Sequence, residues 1–124
     1  MTIRIERIYD NPKGNKGSNS FRILVDRLWP RGLSKENTRI ELWQKDVAPS
    51  NTLRKWIGHD EKKWDEFKHK YFKELDKKSK SEMVDEIIKM AKEHSSITLL
   101  YGAKEEKYNN AVALKEYLEK TTKK

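Results

Sequence analysis

The residues best able to do chemistry form a short block in the first third of the chain. Asp26, Arg27, Trp29 and Arg31 lie within six positions of one another. A guanidinium is a planar donor that can hold a carboxylate or a phosphate through two parallel hydrogen bonds. The block therefore predicts a ligand-binding site for an anion, in which Asp26 positions Arg27 or acts as a base. Asp26 is a weak catalytic candidate.

Each residue of this block also has a structural interpretation. Asp26 and Arg27 can form an ordinary salt bridge, Trp29 can cover the turn made by Pro30, and Arg31 can be an exposed loop arginine. These alternatives stay open at the level of sequence.

A second group of candidate ligand-binding residues lies near the other end of the chain. Tyr101 and Lys104 flank a small-residue turn, and Asn109 is well suited to cap the helix that follows. Helix N-termini and cations both favour anions. The alternative is that Lys104 belongs to a solvated charged turn and that Asn109 serves only as a cap.

His59 is the second weak catalytic candidate. It precedes Asp60, whose carboxylate would raise the pKa of the imidazole and orient it; closing a corner between two helices is the alternative. The chain has no cysteine, no His-x-x-x-His spacing and no glycine-rich phosphate loop. No metal or cofactor is therefore predicted, and whether the protein is an enzyme stays open.

The first half of the chain has the periodicity of strands. Residues 2–9 alternate between apolar and polar side chains, and residues 21–27 contain an apolar run typical of a central strand. Residues 39–47 alternate as well and predict a third strand, with a short helix as the alternative. The polar residues 10–20 predict a flexible loop, which leaves the direction of the first strand open.

The second half has the 3.6-residue periodicity of helices. Four polar residues can begin them: Ser50, Asp60, Asn109, and Ser79 in a capping box with Glu82. The stripe of Trp64, Phe67 and Tyr71 predicts core packing rather than a stacking platform. Residues 97–101 predict a last strand, and the tail, residues 121–124, is expected to fray.

These elements together predict one three-layer α/β domain over residues 1–124. We expect a small, mostly parallel or mixed sheet of about four strands, flanked by about four helices. In such sheets ligands bind beyond the carboxyl ends of the strands. Both groups of candidate residues follow predicted strands, so the fold would bring them together.

Composition narrows the choice of partner. The 124 residues carry a net charge of +8, and residues 1–59 hold twelve basic against six acidic residues, including all seven arginines. This concentration favours a discrete anion site; the alternative is a nucleic-acid-binding or regulatory module that uses the basic N-terminal half. No apolar run is long enough to span a bilayer and no signal peptide is evident, so no membrane partner and a cytoplasmic location are expected. The oligomeric state is left open.

The stretch from Leu24 to Gly32, Leu-Val-Asp-Arg-Leu-Trp-Pro-Arg-Gly, resembles a block found in the bacterial YeaO-like family, a branch of the domain-of-unknown-function 488 superfamily. Further similar segments are Ala48-Pro49-Ser50, Leu53-Arg54-Lys55-Trp56, Gly58-His59-Asp60, Trp64-Asp65-Glu66-Phe67 and Leu99-Leu100-Tyr101-Gly102-Ala103-Lys104. The resemblance covers nearly the whole chain.

The resemblance implies a compact α/β domain and carries no established activity with it. A longer branch of the superfamily has a Cys-His-Arg-like stretch after the last strand, and close relatives often have Asn-His-Ala there. This chain instead has Asn109-Asn110-Ala111. A mechanism that needs a thiol or a histidine at that point is therefore not expected here.

Overall fold

The computed structural model describes residues 2–15, 17 and 19–122, which form a four-stranded sheet with four α-helices. The strands are β1 (Thr2–Arg7), β2 (Phe21–Leu24), β3 (Leu42–Trp43) and β4 (Ser96–Tyr101). The helices are α1 (Asn51–Ile57), α2 (Trp64–Asp76), α3 (Lys78–His94) and α4 (Asn110–Thr122). The predicted α/β class is confirmed.

All four strands are parallel and lie in the order β1-β4-β2-β3. The most apolar strand, β4, is therefore central, with Thr2 of β1 opposite Ser96 and Phe21 of β2 opposite Ile97. This order settles the direction of the first strand, which runs parallel to β4 and is separated from β2 by it.

The helices cover only one face of the sheet. Side chains of β2 and β4 such as Ile23 and Leu99 pack there in one cluster with Ile87 of α3 and Leu114 of α4. On the opposite face Ile8, Leu24 and Leu100 form a smaller cluster, which is covered by Tyr9, Trp29, Leu33 and Ile40. The third layer thus consists of loops.

A buried arginine ties this loop layer to the sheet. Arg22 of β2 is 2% exposed, and its guanidinium donates to the carbonyl oxygens of Asn11 at 2.7 Å and Pro12 at 3.1 Å, and to the Glu6 carboxylate at 3.3 Å. Gly14 lies so close that a Cβ there would be 2.7 Å from the guanidinium. The predicted flexibility of residues 10–20 stays a prediction, and Lys16 and Ser18 lie outside the described residues.

Two predicted strands are shorter than expected. The strand predicted over residues 2–9 ends at Arg7, because the chain turns into a 3-10 helix (Ile8–Asp10) that buries Ile8 under the loop layer. Residues 39–47 contain only the two-residue β3, followed by a 3-10 helix (Lys45–Val47). The strand and the helix interpretation of this segment are therefore each right in part.

The predicted helix caps hold with one exception. Ser50 and Asn109 accept hydrogen bonds from Leu53 N and Val112 N, while Asp60 caps a 3-10 turn (Glu61–Lys63) that leads into α2. The capping box at Ser79 is wrong, because α3 follows α2 after Lys77 alone and Ser79 lies inside its first turn.

The stripe of Trp64, Phe67 and Tyr71 packs against the core as predicted, with Phe67 and Tyr71 buried. Residues 121–122 belong to α4, whereas Lys123 and Lys124 lie outside the described residues, so fraying of the tail stays a prediction. Within the described part of the chain, no helix is both long and apolar enough to cross a bilayer.

Candidate functional site

An open pocket of about 1040 Å³ lies at the carboxyl ends of the strands. Its walls come from the segment after β2, from α1 and the turn behind it, and from the segment between β4 and α4. Seven of the eight candidate residues line it, namely Asp26, Arg27, Trp29, Arg31, His59, Lys104 and Asn109. The parallel sheet brings them together because all these segments lie at the carboxyl ends of its strands.

Tyr101 does not line this pocket. Its side chain is buried in the cluster between the sheet and the helices. Burial, reinforced by the charges of Glu106 and Asp10, raises the pKa of its hydroxyl.

Asp26 is held by two neighbouring segments. Its Oδ2 accepts a hydrogen bond from Gly102 N at 2.8 Å, and its Oδ1 accepts one from Asn110 Nδ2 at 3.1 Å. Asn110 also donates to Val25 O at 3.1 Å. Burial raises the pKa of this carboxyl, although both hydrogen bonds and the charge of Arg54 oppose the shift. Asp26 thus joins β2, the turn after β4 and the start of α4.

Arg27 does not form an ion pair with its neighbour Asp26. Its guanidinium donates to Pro49 O at 3.3 Å, and its Nε is buried with no hydrogen-bond partner among the described residues. The alternative prediction, a salt bridge between Asp26 and Arg27, is therefore wrong. Part of the donor capacity of this guanidinium, which lines the pocket, is therefore not used by any described residue.

The segment that precedes α1 is fixed by side chains of α2 and α3. Tyr71 donates to Val47 O at 2.6 Å, and Lys80 donates to Ala48 O at 2.8 Å. Glu74 accepts from Ser50 N at 2.9 Å and from Ser50 Oγ at 2.6 Å. Since Ser50 also caps α1, these bonds set where the helix begins.

Helix α1 in turn places the polar side chains of one pocket wall. Arg54 and Lys55 lie on it, and His59 follows the turn at Gly58, whose φ of 54° favours glycine. His59 is exposed, and Asp60 accepts its hydrogen bond from Lys62 N rather than from the imidazole. The corner interpretation of His59 agrees with this arrangement.

The charges of the pocket are arranged unevenly. Five cations line it (Arg27, Arg31, Arg54, Lys55 and Lys104), and none of them forms an ion pair with a described residue. Four acids line it as well, but three of them accept hydrogen bonds from amide N–H groups: Asp26, Asp60 and Glu105. The lining thus carries one positive charge in excess, and none of its five cations is paired directly with a carboxylate of the described residues.

The loop after β2 is held by hydrogen bonds and a ring contact. Trp29 Nε1 donates to Leu33 O at 2.6 Å, and the ring of Trp29 packs edge-on against that of Trp43 at 5.5 Å. Tyr9 donates to Arg31 O at 2.8 Å. Trp29 therefore covers the turn while also lining the pocket, and the exposed side chain of Arg31 is directed by a fixed backbone.

Aromatic side chains form another part of the wall. Tyr108 is 38% exposed, and its ring meets the edge of Trp64 at 5.4 Å. Trp64 is stacked on Phe67 at 5.5 Å, and all three line the pocket. An exposed ring with this support is a surface on which a flat apolar group can pack.

Sequence reasoning missed three contributors to the site: Arg54, Tyr108 and Asn110. The first two depend on how α1 and α4 dock onto the sheet, which no local pattern encodes. Asn110 carried a usable signal, because it follows the cap of a helix that begins after a strand. No group of three or more histidine, aspartate or glutamate side chains that could hold a metal ion occurs in the described parts of the chain.

Comparison with known proteins places the chain in context. A family model described as "Inactive DUF488-N3 subclade" matches residues 2–124. The uncharacterised protein YeaO of Escherichia coli (strain K12) is 34% identical over 118 residues, which cover 95% of this chain and 97% of that protein. The resemblance stated from the sequence is thereby confirmed.

Uncharacterised proteins of Mycobacterium tuberculosis and Mycobacterium bovis are 42% identical over 73 residues, or 59% of this chain. The match spans 59% of the length of these mycobacterial relatives. No solved structure is significantly similar to the chain.

Proposed function

Because the chain belongs to the inactive DUF488-N3 subclade, we propose that it binds a small anionic ligand, phosphate- or nucleotide-like, in the pocket at the carboxyl ends of its strands, and does not convert it. The observation that carries this proposal is the set of five pocket cations without an ion-pair partner among the described residues. An anion in the pocket would supply a direct ion-pair partner for these cations.

The arginines have distinct roles in this proposal. Arg31 and Arg54 present exposed guanidinium groups to the ligand, whereas Arg27 contributes from the wall, where it also holds Pro49. Planar guanidinium groups suit phosphate oxygens better than lysine does, because they donate two parallel hydrogen bonds. Lys104 adds charge from the opposite segment.

The size and the aromatic wall of the pocket support a ligand larger than a bare phosphate. A volume of about 1040 Å³ is at the upper end of the range for small-molecule sites. Tyr108, backed by Trp64, offers a face for a ring. A nucleotide would place its phosphate among the arginines and its base against this wall.

The absence of turnover is proposed from the state of Asp26 together with the family description. Both oxygens of Asp26 accept hydrogen bonds that hold the pocket together. A base must be free to reach the proton that it removes. The residue best placed for chemistry is therefore engaged in structure.

Calorimetric titration with inorganic pyrophosphate and with a nucleoside 5′-monophosphate tests the proposal. We expect the double variant Arg31→Gln with Arg54→Gln to bind both probes at least about tenfold more weakly, since each lost charged hydrogen bond is worth roughly 1.5–3 kcal/mol. Neither side chain has a hydrogen bond within the described structure, so the variant should fold.

The matched control is Lys35→Gln, which removes a cation from an exposed position outside the pocket. We expect it to bind as the unmodified protein does. Equal binding by the double variant and the control would contradict the site, and recovery of an altered nucleotide after incubation would contradict the absence of turnover.

A further inference from the structure

Strand β1 forms an open edge of the sheet. In its ladder with β4, Thr2 N donates to Ser95 O, so the backbone N–H and C=O groups of Thr2, Arg4 and Glu6 point towards β4. The backbone groups of Ile3, Ile5 and Arg7 point the other way. None of these outward groups pairs with another of the described strands, although the Arg7 carbonyl already accepts the first bond of the 3-10 helix (Ile8–Asp10).

The two edges of the sheet differ in how they are protected. The opposite edge, β3, is only two residues long, and short edge strands offer little to pair with. β1 presents six residues with no proline or bulge, and its charged side chains, Arg4, Glu6 and Arg7, include both signs. It is therefore the longer edge, and a strand of complementary charge can pair with it.

We propose that β1 pairs antiparallel with β1 of a second copy of this chain, about a two-fold axis at Ile5. In that register Ile5 faces Ile5, and Ile3 faces Arg7 twice. The outward groups of Ile3 and Ile5 and the Arg7 N–H then form four backbone hydrogen bonds across the axis, and these join the two sheets into one of eight strands.

The charges on β1 select this register over its neighbours. Only the odd-numbered residues of β1 have outward backbone groups, so an odd-numbered residue of one copy must face an odd-numbered residue of the other. The register between the two strands can therefore change only in steps of two residues. With Ile5 on the axis, Arg4 faces Glu6 twice, and these non-hydrogen-bonded positions bring side chains closest. A shift one way places Arg4 opposite Arg4, and a shift the other way places Glu6 opposite Glu6.

The side chains are available for this pairing. Arg4 is exposed and has no hydrogen bond or ion pair with a described residue. Glu6 is held in place through one oxygen by Arg22, which leaves the other oxygen free. Ile5 is half-buried, so contact with its copy would remove further apolar surface from water.

Because the chain has no cysteine, a single introduced thiol reports on the register. Facing residues at a hydrogen-bonded antiparallel position have Cα atoms about 5.5 Å apart, within the range of a disulfide. We therefore expect Ile5→Cys to form a disulfide-linked dimer under mild oxidation. Thr2→Cys is the control, since the two copies of this residue would lie about 20 Å apart along the paired strands. Equal crosslinking of the two variants, or none in either, would overturn the proposal.

Sedimentation equilibrium on the unmodified protein provides a test that needs no cysteine. The apparent mass should rise with concentration from 14.8 kDa towards twice that value. Arg4→Glu should weaken self-association at least about tenfold, because it places like charges opposite each other twice, while Lys35→Glu makes the same charge change elsewhere and should not. A constant mass of 14.8 kDa up to millimolar concentration, or equal effects of the two variants, would refute the pairing.

Discussion

Asp26 shows how a single side chain can look catalytic in a sequence and be structural in the fold. Its neighbours Arg27, Trp29 and Arg31 could be identified from the sequence as pocket residues, because they directly follow a predicted strand, and Gly102 could be placed there for the same reason. That Gly102 and Asn110 are the hydrogen-bond partners of Asp26 could not be predicted, since they lie 76 and 84 positions further along the chain. Only the sheet order brings them into contact.

Asp26→Asn tests this structural role. We expect a loss of about 1–2 kcal/mol in the free energy of unfolding, because the amide group turns an NH₂ towards one of the two donors that now face the carboxylate. The deficit should depend on pH. Burial raises the pKa of Asp26 above its ordinary value of 3.8, so the folded state holds this proton more tightly than the unfolded chain does. The unmodified protein therefore loses stability as the pH rises from the ordinary pKa to the raised pKa of the folded protein.

Urea unfolding of both proteins across acid to neutral pH measures this difference. The deficit of the variant should be largest in acid and smaller once the pH has passed the raised pKa. The other carboxyl groups are the same in the two proteins, so their contributions cancel in the difference between the two free energies of unfolding. Parallel stability curves would show that Asp26 has the same pKa in the folded and unfolded chain.

At the scale of elements, helices were easier to predict than strands. Ser50, Gly58 and Asn109 act locally, so their patterns predict where α1 ends and where α1 and α4 begin. The length of β3 is set by its neighbour β2 and by contacts of the following turn, which leave no mark in residues 39–47 themselves. The loop layer was missed because its polar residues have no periodicity.

Two serines that both matched a capping pattern provide a controlled comparison. Ser50→Ala should lower the free energy of unfolding by about 1–2 kcal/mol, because it removes the cap of α1 and a hydrogen bond to Glu74. It should also weaken pyrophosphate binding, since α1 carries Arg54. Ser79→Ala lies within α3 and should change stability by less than about 0.5 kcal/mol. Thermal or urea unfolding measures both, and equal losses would contradict the assigned start of α3.

At the scale of the whole molecule, the net charge of +8 overstates what is available to a partner. Four of the seven arginines donate to main-chain carbonyls: Arg7 to Ala103, Arg22 to Pro12, Arg27 to Pro49 and Arg39 to Ser20. Their positive charge remains, but their hydrogen bonds hold loops together. The sequence shows where the arginines lie, but it does not show which of them hold loops and which are available to a ligand.

Binding of duplex DNA at two salt concentrations separates the two functional hypotheses. We expect only the non-specific range, with dissociation constants of roughly 10⁻⁴–10⁻⁶ M at physiological salt and a steep loss at higher salt. Fluorescence anisotropy with a labelled duplex measures this. Much tighter binding, or binding that persists in high salt, would favour the nucleic-acid alternative over the anion pocket.

The strand order also has a consequence for how the chain folds in time. Among the described strands of one chain, β1 pairs only with β4, and the partners Thr2 and Ser96 are 94 positions apart in the sequence. The hairpin of α2 and α3 needs only local contacts, whereas closing so long a loop carries a large entropic cost before any ladder bond forms. During synthesis β1 must therefore wait until β4 has been made before it can join the sheet.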